Sequence, residues 1–141
     1  EAANAGVLVK MIVRGIYCAV NQKEFKQKIT AISIVDEYLE HARVMYFYNK
    51  GNEDTYISSA DWMTRNLDYR IEAAAKITQK NLKKEIKDLL DIQLSDNVKA
   101  RILDKKLSNH YVEGDQIKRR SQLETYHYLK NKTAGELMNL K

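Results

Sequence analysis

The sequence predicts an α/β sandwich, because short apolar, β-branched runs alternate along its 141 residues with stretches whose apolar positions recur at helical spacing. A chain of this length can close one hydrophobic core. Its 44% hydrophobic residues, with nine tyrosines and one tryptophan spread throughout, match a packed globule rather than a disordered tail. One domain with no internal linker is therefore expected.

Residues 7–13 (VLVKMIV) end at Arg14-Gly15 and read as a buried strand delivering an arginine at its C-terminal end, where α/β folds collect ligands. Residues 21–28 are polar and lysine-rich, a surface excursion. A short extended segment follows at Ile29–Ile34, then a short helix at Val35–Glu40. The stretch RVMYFY from Arg43 and the run DTYIS at 54–58, separated by Asn49-Lys50-Gly51-Asn52, predict a hairpin with His41 just before its first strand. Asp61–Arg70 is helix-compatible, with Asp61 as N-cap for Trp62 onward. Ile71–Ile77 returns to strand, although Glu72-Ala73-Ala74-Ala75 also permits helix. Gln79–Gln93 sets Leu82, Ile86, Leu89 and Leu90 at helical spacing, with Lys83, Lys84, Lys87 and Asp88 on other faces. This is the clearest amphipathic helix, and it is expected to cover one face of the sheet. Val98–Leu103 is a short strand, and Gln116–Lys130 a final helix opened by Gly114-Asp115 and closed before a polar tail.

Composition narrows the function classes. The longest apolar run, 7–13, is interrupted by Lys10 and falls short of the roughly 20 residues a spanning helix requires. The chain begins Glu-Ala-Ala-Asn without an initiator methionine, a basic n-region or an apolar h-region, so no signal peptide reads and a piece of a longer protein is expected. A single cysteine, Cys18, excludes an internal disulfide and suits a reducing cytoplasm. The net charge of +5 favours polyanionic partners such as nucleic acid, phosphate chains or anionic lipid, without choosing among them. GxxxxGK[ST] and GxGxxG phosphate loops are absent from the sequence, and one cysteine with three scattered histidines gives no zinc spacing.

Several residues have the chemistry to handle phosphate. Arg14 follows an apolar strand and His41 precedes one, while Asp61, Arg65, Asn66, Asp68, Arg70 and Glu72 crowd a twelve-residue window around Trp62. Phosphoryl transfer needs planar cations on the equatorial oxygens, and an imidazole can donate or accept a proton at the attacking or leaving group. Each residue also has a plainer reading: a structural histidine, strand-end surface charges, a tryptophan used for packing. His110 and His127 lack a partner cluster and read as structural or surface groups, and Lys80, Lys83, Lys84 and Lys87 as the solvated face of a helix.

The stretch YISSADWMTRNLDYRIE, Tyr56 to Glu72, resembles the signature of the polyphosphate kinase family, enzymes that build long phosphate chains from ATP. Three further segments resemble that family in the same order: VRGIYC at 13–18, ISIVDEYLEH at 32–41 and LSDNVKAR at 94–101. The resemblance extends from Val7 to about Lys130. It implies that residues 1–141 form the second, C-terminal of two phospholipase D-like domains, an α/β sandwich with a mixed sheet flanked by helices. It further implies transfer of the ATP γ-phosphate, through a phosphohistidine in the upstream domain, to a growing polyphosphate chain.

On that resemblance His41 of Leu39-Glu40-His41 is the catalytic residue that assists at the phosphate. Arg14, together with His41 and Arg70, contacts ATP or phosphate, and Ser58, Ser59, Asp61, Arg65, Asn66 and Glu72 support the site. Either serine is a candidate to orient His41 by hydrogen bonding. Mg2+ is expected to be held mainly by the upstream domain, with no metal site within this chain. The implied partners are ATP or ADP, polyphosphate, the upstream domains of the same polypeptide and further copies in a homo-oligomer, with no specific nucleic acid. The implied location is cytoplasmic, or peripheral to the inner face of the membrane, and the isolated chain is expected not to turn over ATP.

Three departures from pattern are visible. The wider phospholipase D pattern has a lysine two residues after its histidine, where this chain has Arg43, which counts against ordinary phosphodiesterase activity. Ser58-Ser59-Ala60-Asp61 occupies the place of that superfamily's Gly-Ser-x-Asn, and residues 20–29 are shorter than is usual in the family and lack proline. Two rival functions stand beside the first: a phospholipase D-like phosphodiesterase or nuclease half-site that pairs two copies, and a non-catalytic basic module that binds RNA or phosphate chains electrostatically.

Overall fold

Runs of β-branched and aromatic residues separated by turn signals become six short strands in the computed structural model, which describes residues 1–18, 26–106, 108–114 and 117–138. The strands are β1 (Lys10–Ile12), β2 (Thr30–Ile34), β3 (Val44–Phe47), β4 (Asp54–Ser58), β5 (Ala74–Ile77) and β6 (Ala100–Ile102); the helices are α1 (Thr64–Tyr69), α2 (Lys80–Leu94) and α3 (Ser121–Met138). They gather into two compact units, Glu1–Leu39 with Asp91–Lys141, and Glu40–Leu90.

In the first unit β2 is central. It pairs in parallel with β1, Ile12 opposite Ile32, and antiparallel with β6, Ile34 opposite Ala100, making a mixed sheet. Ile32, Ile34 and Ala100 are buried against half-buried Ile12, Leu94 and Val112. Each buried isoleucine contributes about 1.5–3 kcal/mol.

The expected buried strand over 7–13 is shorter and more open than the sequence suggests. Val7 and Leu8 are 52% and 60% exposed, and the Val7 N–H turns back to the Ala2 carbonyl at 3.0 Å. Lys10–Ile12 pair in register with β2, and the Val9 carbonyl and Val13 N–H add one backbone bond to it at either end (3.0 and 2.8 Å). The helix expected at Val35–Glu40 is also absent. Gln122 accepts the Tyr38 N–H through Oε1 (3.0 Å) and donates from Nε2 to the Tyr38 carbonyl (2.7 Å), taking both backbone groups away from a helical ladder. Beside it, Arg120 forks onto Asp36 with bonds of 2.8 and 2.7 Å.

Asp96 organises the other loops of this unit. The residue is fully buried, and Oδ1 accepts N–H groups from Val98 (2.9 Å), Lys99 (2.7 Å) and Ala100 (3.0 Å) while Oδ2 accepts that of Ser121 (2.7 Å). Burial pushes its carboxyl up, but the N–H groups of Ser121, Lys99 and Ala100 outweigh this and hold it below the usual carboxylate value. One side chain thus starts β6 and caps α3. That cap explains why the last helix begins at Ser121; the expected start, Gln116, lies outside the described residues. The helix also runs past Lys130 to Met138, because Lys132, Ala134, Glu136 and their neighbours include good helix formers.

Asn97, next to that cap, bonds the Ile117 carbonyl (2.9 Å) and the Arg119 N–H (2.8 Å), and a Cβ on Gly114 would lie only 2.4 Å from its Nδ2. Because Asn97 is held at both ends, it cannot swing aside without losing those bonds. Gly114→Ala is expected to cost about 1–3 kcal/mol, read as a lower unfolding midpoint; an unchanged midpoint would refute this account of the turn.

The second unit is an antiparallel meander, β3-β4-β5, with Val44 opposite Ile57 and Ser58 opposite Ala74. The hairpin turn is the expected one: Asn49, Lys50 and Gly51 all have positive φ (42°, 54° and 91°), which asparagine and glycine tolerate best. The helix between β4 and β5 is shorter than Asp61–Arg70. It starts at Thr64, with Met63 at its N-cap and no side-chain cap bond, because the Asp61 carboxylate is used elsewhere. The amphipathic helix falls where its periodicity indicates, as α2; none of its residues is fully buried, and its last residue, Leu94, packs half-buried against the core of Ile32, Ile34 and Ala100. It touches the hairpin through Lys83, whose Nζ donates to the Glu53 carbonyl (2.6 Å), and through Lys87 over the Tyr46 ring. No helix among the described residues is long and apolar enough to cross a membrane.

Candidate functional site

The ladder between β3 and β4 continues past the strand ends, since the Ser58 N–H donates to the Arg43 carbonyl at 2.9 Å. That pairing brings Arg43 and Asp61 together: Arg43 Nε donates to Asp61 Oδ1 at 2.8 Å. The same guanidinium reaches back to His41, with Nη2 3.0 Å from the ring Nε2 and Nη1 3.4 Å from the His41 carbonyl. His41 itself is exposed and Arg43 half-buried. The hydrogen bond to Asp61 raises the guanidinium above its already high value, so it stays a cation at any working pH.

A second cluster forms where β4 meets β5. Glu72 accepts from the Ser59 hydroxyl and from Asn66 Nδ2 (2.7 Å), and Asn66 is buried at 3% exposure. Ser59 Oγ accepts the Ala73 N–H (3.0 Å), and Ser58 Oγ donates to the Ala73 carbonyl (3.3 Å) while accepting the Ala60 N–H (3.0 Å). The Ser59 and Asn66 donors, with the Arg70 and Arg43 charges, hold the Glu72 carboxyl below its usual value against the opposing effect of burial. A shallow cavity of about 420 Å³ borders this cluster, lined among others by Met45, Ser58, Trp62, Leu67 and Glu72. Trp62 is 75% exposed, so it is neither core nor cap packing.

The structure therefore brings together His41, Ser58, Ser59, Asp61, Asn66 and Glu72 of the expected set within one unit. The serines do not orient His41, as the sequence suggested; their bonds run to Glu72 and to the backbone at 60 and 73, and the group that holds the imidazole is Arg43. Arg70 follows α1 in extended conformation and is exposed, and Arg65 and Asp68 are exposed on α1. Arg14 belongs to the first unit, exposed two residues beyond β1. Arg43 was legible in principle. Residues two apart on extended backbone share a face, so an arginine at 43 stands beside a histidine at 41. Among the described residues, no three of the His, Cys, Asp and Glu side chains group to hold a metal ion.

A pH prediction follows from Glu72. Its folded-state value is depressed, so the stabilisation it lends is present above its ordinary value of 4.5 and is lost as pH falls through the lower folded value. Glu72→Gln is expected to flatten the loss of thermal stability of this unit on acidification below 4.5. An acid limb identical to wild type would show that the carboxylate is not what ties β4 to β5.

The architecture and sequence have close counterparts. A crystal structure of polyphosphate kinase from Porphyromonas gingivalis superposes with a TM-score of 0.88 at 46% identity, over 93% of this chain and 20% of that one. Polyphosphate kinase of Vibrio parahaemolyticus is 51% identical over 132 residues, and that of Klebsiella pneumoniae 49% over 132, in each case 92% of this chain and 19% of the relative. The chain thus spans about a fifth of the length of the curated relatives it matches. Because the model of polyphosphate kinase C-terminal domain 2 also matches residues 1–122, the chain belongs to that family.

Proposed function

We propose that this chain is the C-terminal catalytic part of a polyphosphate kinase, acting with the upstream part of the same polypeptide to move the ATP γ-phosphoryl group, through a phosphohistidine upstream, to a growing polyphosphate chain. One observation carries the reading: in a chain of this family, the exposed imidazole of His41 is held by Arg43, which is itself bonded to Asp61. The mixed α/β architecture supports a phospholipase D-like sandwich as its fold.

His41 would assist at the phosphate, and Arg14 and Arg70 would neutralise charge that spreads over the equatorial oxygens as the phosphoryl group moves. Ser59, Asn66 and Glu72 would brace the strand ends around it, and Ser58 and Asp61 the loop between. Mg2+ would neutralise phosphate charge when bound with nucleotide. Its protein ligands are proposed to lie mainly in the upstream part, and no step of this chain runs through it. ATP or ADP and polyphosphate are the substrates in this reading. Homo-oligomerisation and a cytoplasmic location, or one peripheral to the inner membrane face, belong to the same proposal.

The phosphodiesterase rival needs a cation at position 43 directed to phosphate, whereas three of the five N–H donors of the guanidinium there already go to Asp61 and His41. The net charge of +5 keeps the basic-module reading in view. Steady-state polyphosphate synthesis by the full-length polypeptide separates them. Arg14→Ala should raise KM for ATP by about tenfold, the loss of one charge-assisted hydrogen bond, without disturbing the fold around this exposed residue. If KM and kcat stay at wild-type values in Arg14→Ala while removal of exposed lysines weakens polyanion binding step by step, the basic-module reading replaces this one.

A further inference from the structure

A guanidinium has five N–H donors and no acceptor. Where Arg43 Nη2 meets His41 Nε2 at 3.0 Å, the imidazole nitrogen must therefore supply the lone pair. A neutral ring with its lone pair on Nε2 carries its proton on Nδ1, the reverse of the tautomer that a free histidine side chain prefers. Two further contacts fix this arrangement. Nη1 of the same group binds the His41 carbonyl and Nε binds Asp61, so the fork is anchored at three of its nitrogens and cannot rotate to release the ring.

We propose that Arg43, fixed by Asp61, is a positioning residue that holds His41 in the Nδ1–H tautomer, so that the ring presents a hydrogen-bond donor to a phosphate oxygen and is not a base through Nε2. The phosphate half of this statement rests on the proposed function; the tautomer stands on the geometry alone. It also gives arginine a reason to stand at 43. A lysine supplies one ammonium point and cannot bind ring nitrogen, carbonyl and carboxylate together in a fixed plane.

The test uses the full-length polypeptide with [15N]histidine confined to this segment by segmental ligation, which leaves only His41, His110 and His127 labelled. Solid-state 15N spectra at pH 8 report the protonated nitrogen of each ring. The His41 signals are identified by their loss in His41→Gln. The expected wild-type result is a protonated Nδ1 and a bare Nε2. In Arg43→Lys and Arg43→Met the proton should move to Nε2, with kcat for polyphosphate synthesis down by about 10- to 100-fold and KM for ATP little changed. Asp61→Asn, which keeps side-chain volume, should give a mixture of tautomers and provides the readout if the Arg43 variants do not fold. A wild-type His41 protonated on Nε2, or an Nδ1–H that persists in Arg43→Met, overturns the assignment. Because the spectra do not depend on turnover, this failure is distinct from that of the functional reading, which an active His41→Ala enzyme would overturn.

Discussion

Asp96→Ala is expected to lower stability by at least about 3 kcal/mol, the loss of several hydrogen bonds to one charged group. The substitution strips the acceptor from four backbone N–H groups at once, three at the start of β6 and one at the head of α3. These donors have no intrahelical or ladder partner to fall back on, and the position is sealed from water. Asp96→Asn should be intermediate. Its carbonyl oxygen can still serve the Val98–Ala100 donors, but its amide nitrogen would face the Ser121 N–H, donor against donor. Urea unfolding of wild type and both variants gives the order. Since the folded carboxyl lies below its ordinary value of 3.8, the part of the contribution that depends on its charge is present above that value and is lost as pH falls through the folded one, so the gap between wild type and the variants should narrow in strong acid. Equal midpoints at neutral pH would mean that the loops do not depend on this carboxylate.

What the sequence made legible follows the range of the interactions involved. The β3-β4 hairpin and α2 rest on alternation, a turn with Asn and Gly, and a run of helically spaced leucines, all read within a few residues, and all three stand where expected. The helix at 35–40 was misread because Asp36 and Tyr38 are captured by Arg120 and Gln122, 84 residues away, and no local pattern announces such a capture. Asp61 was misread as a cap for a related reason: its carboxylate finds a guanidinium across the strand pair before it can find a helix N-terminus. At the site, residue types were legible from the 56–72 stretch, but their bonding was not. Ser58 and Ser59 were expected at the histidine and serve Glu72 and Ala73 instead, since the β4-β5 register sets Ser58 opposite Ala74 and aligns the serines with that strand.

His41→Ala in the full-length polypeptide is expected to reduce polyphosphate synthesis by about 10²- to 10⁴-fold, the contribution of a positioned proton-donating group. The side chain is exposed, and the ring's partner Arg43 keeps its bond to Asp61 when the ring is gone, so the fold should survive and the loss should fall on kcat. The measurement is incorporation of labelled γ-phosphate from ATP, with magnesium, into polymer by wild type and His41→Ala, with unfolding midpoints matched. Collapse of synthesis in a folded variant is the predicted result; undiminished synthesis would remove His41 from the phosphoryl-transfer site and contradict the proposal at its centre.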